Sequence, residues 1–175
     1  MSKESSHGLG AEHPRGHQIQ GFCFILFFVV WILDTFVLKM TLSGFIPPII
    51  SFLLFCLGLI GAAFFIKASH DNVLATVPTS IVTDGVYGYL RHPMYGGTLL
   101  IYLSFSILSM SLISLIPLTF SLALYDIIAS YEEKELENDL GSEYSLYKAS
   151  VHRWFPLISL LRRRKGYHFT ILESN

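Results

Sequence analysis

Charge is what this sequence has least of. Asp, Glu, Lys and Arg make up 14% of its 175 residues, against about 25% in an average soluble domain. Basic and acidic side chains nearly balance, 12 against 13, for a formal net charge of −1. Such a chain has no global field to steer a nucleic acid and no excess charge to hold it disordered. Cysteine is scarce too. Cys23 and Cys56 each lie inside an apolar run, in neither a CxxC pair nor a metal-ligand spacing, so both read as small buried hydrophobes. No internal repeat of useful length is present. What remains is apolar: 52% hydrophobic residues, 14% aromatic, and a mean hydropathy of +0.53. An ordinary soluble globule, a disordered tail and a basic nucleic-acid-binding domain are excluded, and the length allows one domain. The expected class is an all-α, integral membrane helical bundle.

A hydrocarbon core about 30 Å thick needs on the order of 20 apolar residues in a helix. Gly21 to Leu38 is the first such run, broken by Asp34, and Phe45 to Ile66 is the second, with Pro47 and Pro48 at its start. Pro93 to Ser109 is a third, shorter candidate of about 25 Å. Leu112 to Tyr131 is the fourth, with Pro117 as an expected kink. Only Met110 and Ser111 separate the last two runs, which predicts a tight hairpin. Four membrane segments are expected. The first is read as retained rather than cleaved, because no small-residue cleavage site follows it.

The basic residues set the orientation. With the N-terminus inside, eleven of the twelve Lys and Arg fall on the inner side and Lys39 alone on the outer. Both termini are therefore expected in the cytoplasm. Residues 1–19, carrying His7, His13 and His17 among Gly, Ser and Pro, form a leader without periodicity. These histidines are read as solvated leader residues rather than as a metal set. Residues 20–156 form the membrane domain. Residues 157–175 are a basic tail, in which Arg162-Arg163-Arg164-Lys165 follows an apolar stretch and suits an anionic leaflet or serves as a topology anchor.

Two polar stretches flank the short hairpin on the expected inner side. In the first, Thr83 to Gly97, Asp84-Gly85 signals a turn, and Pro93 suits the first position of a helix that His92 would cap. The first-turn amides, on Met94 and Tyr95 for instance, would then face the membrane surface beside Arg91 and offer a place for a carboxylate or phosphate. An ordinary interfacial helix entry with Tyr87, Tyr89 and Tyr95 as belt aromatics is the competing account. In the second stretch, Tyr131 to Tyr147, the fourth helix leaves the membrane and continues to Gly141. Asp126 and Glu133 are seven apart, about 20° from one face. Asp126, inside the apolar span, needs a polar cavity or a partner. Glu132, Glu133, Glu135 and Glu137 form either a solvated acidic surface or, for the first two, one wall of a binding site. Asp34 is assigned to snorkelling at the outer interface or to pairing with Lys39.

Together, Gly85 to Gly97, Glu132-Glu133, Gly141 to Tyr147 and Val151 to Pro156 resemble the isoprenylcysteine carboxyl methyltransferase family, with phospholipid N-methyltransferases as more distant relatives. The resemblance covers about residues 70 to 156. It implies an enclosed S-adenosyl-L-methionine site between the hairpin and the cytoplasmic loop. Carried over residue by residue, Thr79, Ser80, Ile81, Val82, Tyr87, His92, Pro93, Met94, Tyr95 and Glu132 would contact the cofactor, Glu133 belongs to the same motif, and Arg91 would meet the cofactor's carboxylate. His92 or Asp126 would serve as a general base where one is needed. Prenylcysteine enzymes place a substrate-binding arginine four residues before the Glu doublet, where this sequence has Ile128, so that anchor is missing.

The leading expectation is methyl transfer to a lipophilic or small hydrophobic carboxylate, thiol or amine, with membrane lipids as surroundings and no nucleic acid, metal or obligate protein partner. Two alternatives stay open at this point. Membrane sterol reductases carry a similar Arg-His-Pro loop and would use a nicotinamide cofactor, and a non-enzymatic scaffold would use the carboxylates to pair its helices.

Overall fold

The computed structural model describes residues 15–42, 44–75 and 82–156. Residues 1–14 of the leader, the whole basic tail and the cofactor candidates Thr79, Ser80 and Ile81 lie outside the described residues. The elements among the described residues are helical, apart from one isolated β-bridge between Thr41 and Ser111: α1 (Gly16–Ile32) runs into a π-helical turn (Leu33–Leu38), followed by α2 (Pro48–Ala75), a 3₁₀ turn (Gly85–Gly88), α3 (Pro93–Ser109), α4 (Leu115–Leu140) and α5 (Ser142–Ser150). Backbone amides and carbonyls cannot be left open in lipid, which makes a helix the natural form for such runs. Three stretches among the described residues are long and apolar enough to cross a membrane: Gly16–Leu38, Pro48–Asp71 and Leu115–Leu140. Helix α3, 17 residues long, is the shorter apolar one.

The large apolar side chains point outward. Phe22, Ile25, Phe36, Leu53, Leu57, Ile60 and Phe64 are all exposed, as expected of a bundle whose solvent is hydrocarbon. The interior is small and polar by comparison. Phe27 of α1 stacks on Tyr102 of α3 with ring centroids 4.5 Å apart, and the Trp31 indole donates to the Phe105 carbonyl at 2.8 Å and to Ser109 at 2.9 Å. Helices α2 and α3 pack with backbones close together. A β-carbon on Gly58 would fall 2.1 Å from the Ser104 hydroxyl, and one on Gly97 would meet Ile66 at 2.8 Å and the Ala62 carbonyl at 3.2 Å.

Several expectations are corrected. Helix α1 starts at Gly16 rather than Gly21, and α2 continues past Ile66 to Ala75. The hairpin link is 110–114 rather than two residues, because α4 begins at Leu115. Pro117 therefore sits in the first turn of α4, where its missing N–H is not needed, and no kink has to be attributed to it. The Asp34 side chain neither reaches the surface nor pairs with the Lys39 ammonium; Lys39 instead gives its backbone N–H to the Asp34 carbonyl at 2.6 Å. Asp34 is fully buried, and its carboxylate accepts the Ser111 hydroxyl together with the backbone N–H groups of Met40 (3.0 Å) and Ile113 (3.4 Å). This ties the end of the first membrane segment to the α3–α4 link. The Leu42 N–H bonds the Met110 carbonyl at 2.9 Å and the Leu112 N–H bonds the Met40 carbonyl at 3.3 Å alongside it. Lys39 and Met110 take left-handed φ of 54° and 52° at the two turns so joined.

Replacing Asp34 with Ala strands these buried donors and should cost about 3 kcal/mol. Gly97→Val should cost roughly 1–3 kcal/mol by overpacking. Both losses would be read from reversible unfolding in mixed micelles. Stability equal to the wild type in either variant would contradict the packing described.

Candidate functional site

At the end of the bundle opposite the Asp34 staple, three segments converge. The first is the loop 82–92 leading into α3. Gly85 takes φ 58° at the turn, and the 3₁₀ turn that follows is pinned from both sides. The Tyr147 hydroxyl of α5 donates to the Tyr87 carbonyl at 2.8 Å, and the Tyr87 hydroxyl pairs with Ser69 of α2 at 2.7 Å. Burial raises the pKa of Tyr87 and of Tyr147 above the ordinary phenol value, so both hydroxyls stay protonated in neutral solution. Pro93 opens α3 as expected. His92 stands at the cap position but makes no side-chain capping bond, because its ring is engaged elsewhere.

The second segment is the last third of α4. Its Glu doublet splits over two faces, since adjacent residues on a helix point about 100° apart. Glu132 turns towards α3 and accepts the Tyr95 hydroxyl at 2.7 Å, and His92 Nδ1 lies 3.6 Å from its second oxygen. Glu133, 1% exposed, meets His92 Nε2 at 3.1 Å. The expected loop and the expected doublet are thus in direct contact, each carboxylate with one member of the His92–Tyr95 run. The imidazole lies nearly parallel to the Tyr95 ring with centroids 5.7 Å apart, and Tyr95 in turn lies 5.2 Å from Tyr125.

The third segment follows α5. Gly141, at φ 55°, ends α4 and lets α5 fold back so that Tyr144, Tyr147 and Val151 pack against Leu136 and Leu140. This return carries Arg153 onto the outer stripe of α4. Its guanidinium forks Glu133, Nε and Nη2 each donating at 2.8 Å, while Nη1 donates to Asp126 at 2.7 Å and to Ser130 at 2.9 Å. The Trp154 indole also donates to Asp126, at 2.8 Å. Asp126 and Glu133 share a stripe, as their spacing predicts, and the partner that Asp126 requires is Arg153. Two further cations approach Glu133: Arg91 Nη2 at 3.3 Å and Lys148 Nζ at 3.7 Å. A carboxylate with this many cationic neighbours is held ionised despite its burial.

Of the expected site residues, Val82, Tyr87, Arg91, His92, Pro93, Met94, Tyr95, Asp126, Glu132 and Glu133 all belong to this end of the bundle. Arg153 and Trp154 enter the sequence reading only within the Val151 to Pro156 stretch of the resemblance, with no role assigned, and Lys148 only as a basic residue of the inner side. The signal for one of them is present: two carboxylates on one stripe of a membrane-border helix require a cation, and Arg153 is the first arginine after that helix.

The phospholipid methyltransferase family matches residues 49–143, which is α2, α3, α4 and the start of α5. The chain belongs to that family. The protein-S-isoprenylcysteine O-methyltransferase of Schizosaccharomyces pombe (strain 972 / ATCC 24843) is 34% identical over 95 residues, covering 53% of this chain and 36% of that protein. The chain thus matches about a third of the relative's length. No solved structure matches. The family match includes the His92–Tyr95 loop and the Glu doublet but stops short of Arg153.

Glu133→Ala would leave Arg153, Arg91 and Lys148 without their shared counter-charge. It should cost roughly 3–5 kcal/mol, the penalty for breaking a buried ion pair from one side. Glu135→Ala, at a position that makes no ion pair among the described residues, should change stability by less than about 0.5 kcal/mol. Unfolding curves of the two variants under identical detergent conditions check this, and equal losses would contradict the central position of Glu133.

Proposed function

We propose that this protein is a membrane methyltransferase that takes its methyl group from S-adenosyl-L-methionine and passes it to a lipophilic or small hydrophobic acceptor bearing a carboxylate, thiol or amine. The observation that carries the proposal is the clasp between the loop and the doublet: Tyr95 on Glu132 and His92 on Glu133. Family membership favours methyl transfer over a nicotinamide-dependent reductase or a passive scaffold.

The residues at the clasp fit the donor's functional groups. The Arg91 Nε–H is buried without an acceptor, which suits the amino-acid carboxylate of the cofactor. The start of α3 brings further donors and the positive end of a helix dipole to the same place. Glu132, 14% exposed, offers an acceptor to ammonium or ribose hydroxyl groups. The near-parallel His92 and Tyr95 rings offer faces to adenine or to a sulfonium. When bound, the cofactor supplies an activated methyl group for in-line displacement.

The chain's own task is then orientation and the exclusion of water. Tyr95 and His92 hold the two carboxylates apart on their separate faces. Pro93 fixes the loop's entry into α3, and Tyr87, pinned by Tyr147 and Ser69, closes the loop from behind. His92 is the group nearest to hand for removing a proton from an amine or thiol acceptor. Asp126, engaged by Arg153 and Trp154, serves to hold that corner of the site. Val82, with Thr79, Ser80 and Ile81 before it, would contribute backbone to the cofactor's edge. The sequence excess of Lys and Arg expected on this side supports a site at the cytoplasmic leaflet with both termini inside. The lipid-facing surface of the helices lets an apolar acceptor approach sideways from the bilayer.

Protein purified in detergent should carry S-adenosylhomocysteine detectable by mass spectrometry and should transfer tritiated methyl groups into a lipid extract. Glu132→Ala and His92→Ala should each weaken calorimetric binding of S-adenosylhomocysteine at least tenfold. No binding by the wild type, or unchanged binding in both variants, would overturn the proposal.

A further inference from the structure

Three successive residues after α5 each touch a different part of the clasp. The His152 carbonyl accepts the Arg91 N–H at 3.2 Å. Arg153 forks both oxygens of Glu133. The Trp154 ring stands 6.2 Å from the His92 ring and donates through its indole to Asp126. All three lie beyond residues 49–143, which the phospholipid methyltransferase family matches, but inside Val151 to Pro156, the last stretch of the sequence resemblance.

We infer that Arg153 is a positioning residue for this site: it fixes the Glu133 carboxylate, and through Glu133 the imidazole of His92. The inference rests on the methyl-donor reading for its consequence in binding, though not for the geometry. A glutamate has three rotatable side-chain bonds, and the single contact to His92 at 3.1 Å leaves it free to turn. A two-point fork from a planar guanidinium removes that freedom. The guanidinium cannot rotate away in its turn, because Nη1 is committed to Asp126 and Ser130, seven and three residues before Glu133 on the same helix. Arg153 is thereby locked to a rigid stripe of α4 and transmits that rigidity to Glu133. Lysine could supply the charge but not the fork, since one ammonium is a point donor. Arg91 and Lys148 do not substitute for it. Arg91 reaches one oxygen of Glu133 at 3.3 Å and Lys148 the other at 3.7 Å, which compensates charge without fixing orientation.

The test uses the full chain in detergent micelles, with histidine labelled in its ring nitrogens and the His92 signals assigned by their loss in His92→Gln. In Arg153→Gln and Arg153→Lys the His92 Nε2 signal should shift, and calorimetric affinity for S-adenosylhomocysteine should fall at least tenfold in both. A latch that serves only the fold would leave the His92 signal in place, and a purely electrostatic role would be rescued by lysine. A His92 signal unmoved in either folded variant, or an affinity within twofold of the wild type, would overturn the inference. Should Arg153→Gln alone fail to fold, the double variant Arg153→Gln/Glu133→Gln removes the unpaired buried carboxylate. That variant should bind as weakly as Arg153→Lys, and wild-type affinity in it would overturn the inference. If the wild type itself does not bind S-adenosylhomocysteine, the methyl-donor reading fails, and the nitrogen spectra still decide whether Arg153 positions His92.

Discussion

A buried carboxylate at the border of a membrane is expensive, and the arrangement at one end of this bundle follows from satisfying it. Glu133 sits on a helix that is otherwise apolar for most of its length, almost wholly removed from solvent. Its two oxygens draw His92 from the start of α3, Arg91 from the preceding loop, and Lys148 and Arg153 from the chain beyond α4. Three segments distant in sequence are held at one point by one charge. Desolvation penalises Glu133 unless all its neighbours are in place. The loop before α3 and the return after α5 are therefore coupled through it.

The same economy operates at the far end. Asp34 is fully buried and satisfied by two backbone amides and a hydroxyl, with no cation among the donors described. One acidic residue thus fastens each end of the bundle, by different chemistry. At the Asp34 end, short backbone donors hold a turn against a turn, which suits a fixed fold. At the Glu133 end, long side chains and aromatic rings meet, and an unpartnered guanidinium N–H lies buried beside them, which suits a place where a ligand is taken up. The two ends lie about 25 Å apart along α3, at 1.5 Å for each of its 17 residues.

Much of this was legible in the amino acids. Pro93 marks the start of α3 because its missing N–H is needed nowhere else, and Gly141 marks the end of α4 because the turn there needs a positive φ. The stripe shared by Asp126 and Glu133 follows from a separation of seven. The partners of these carboxylates were not legible. Asp34 has a lysine five residues away and takes instead a serine 77 positions distant, because two turns meet there and local sequence carries no trace of it. His92 occupies a capping position, yet a carboxylate 41 residues later outcompetes the backbone amides for its ring. Arg153 counts, by charge alone, as one of eleven basic residues on one side of a membrane; the backward fold of α5 gives it a specific task. Residues 79–81, expected at the edge of the site, lie outside the described residues.

The central claim is that the His92–Tyr95 loop and the Glu132–Glu133 doublet surround one nucleoside. Ultraviolet cross-linking of tritiated S-adenosyl-L-methionine to the full-length protein, followed by peptide mapping, tests it most directly. The account predicts label on peptides spanning 82–95 and 129–137, displaced by unlabelled S-adenosylhomocysteine. Label confined to the opposite end of the bundle, around residues 34–42 and 106–114, or the absence of displaceable label, would contradict it.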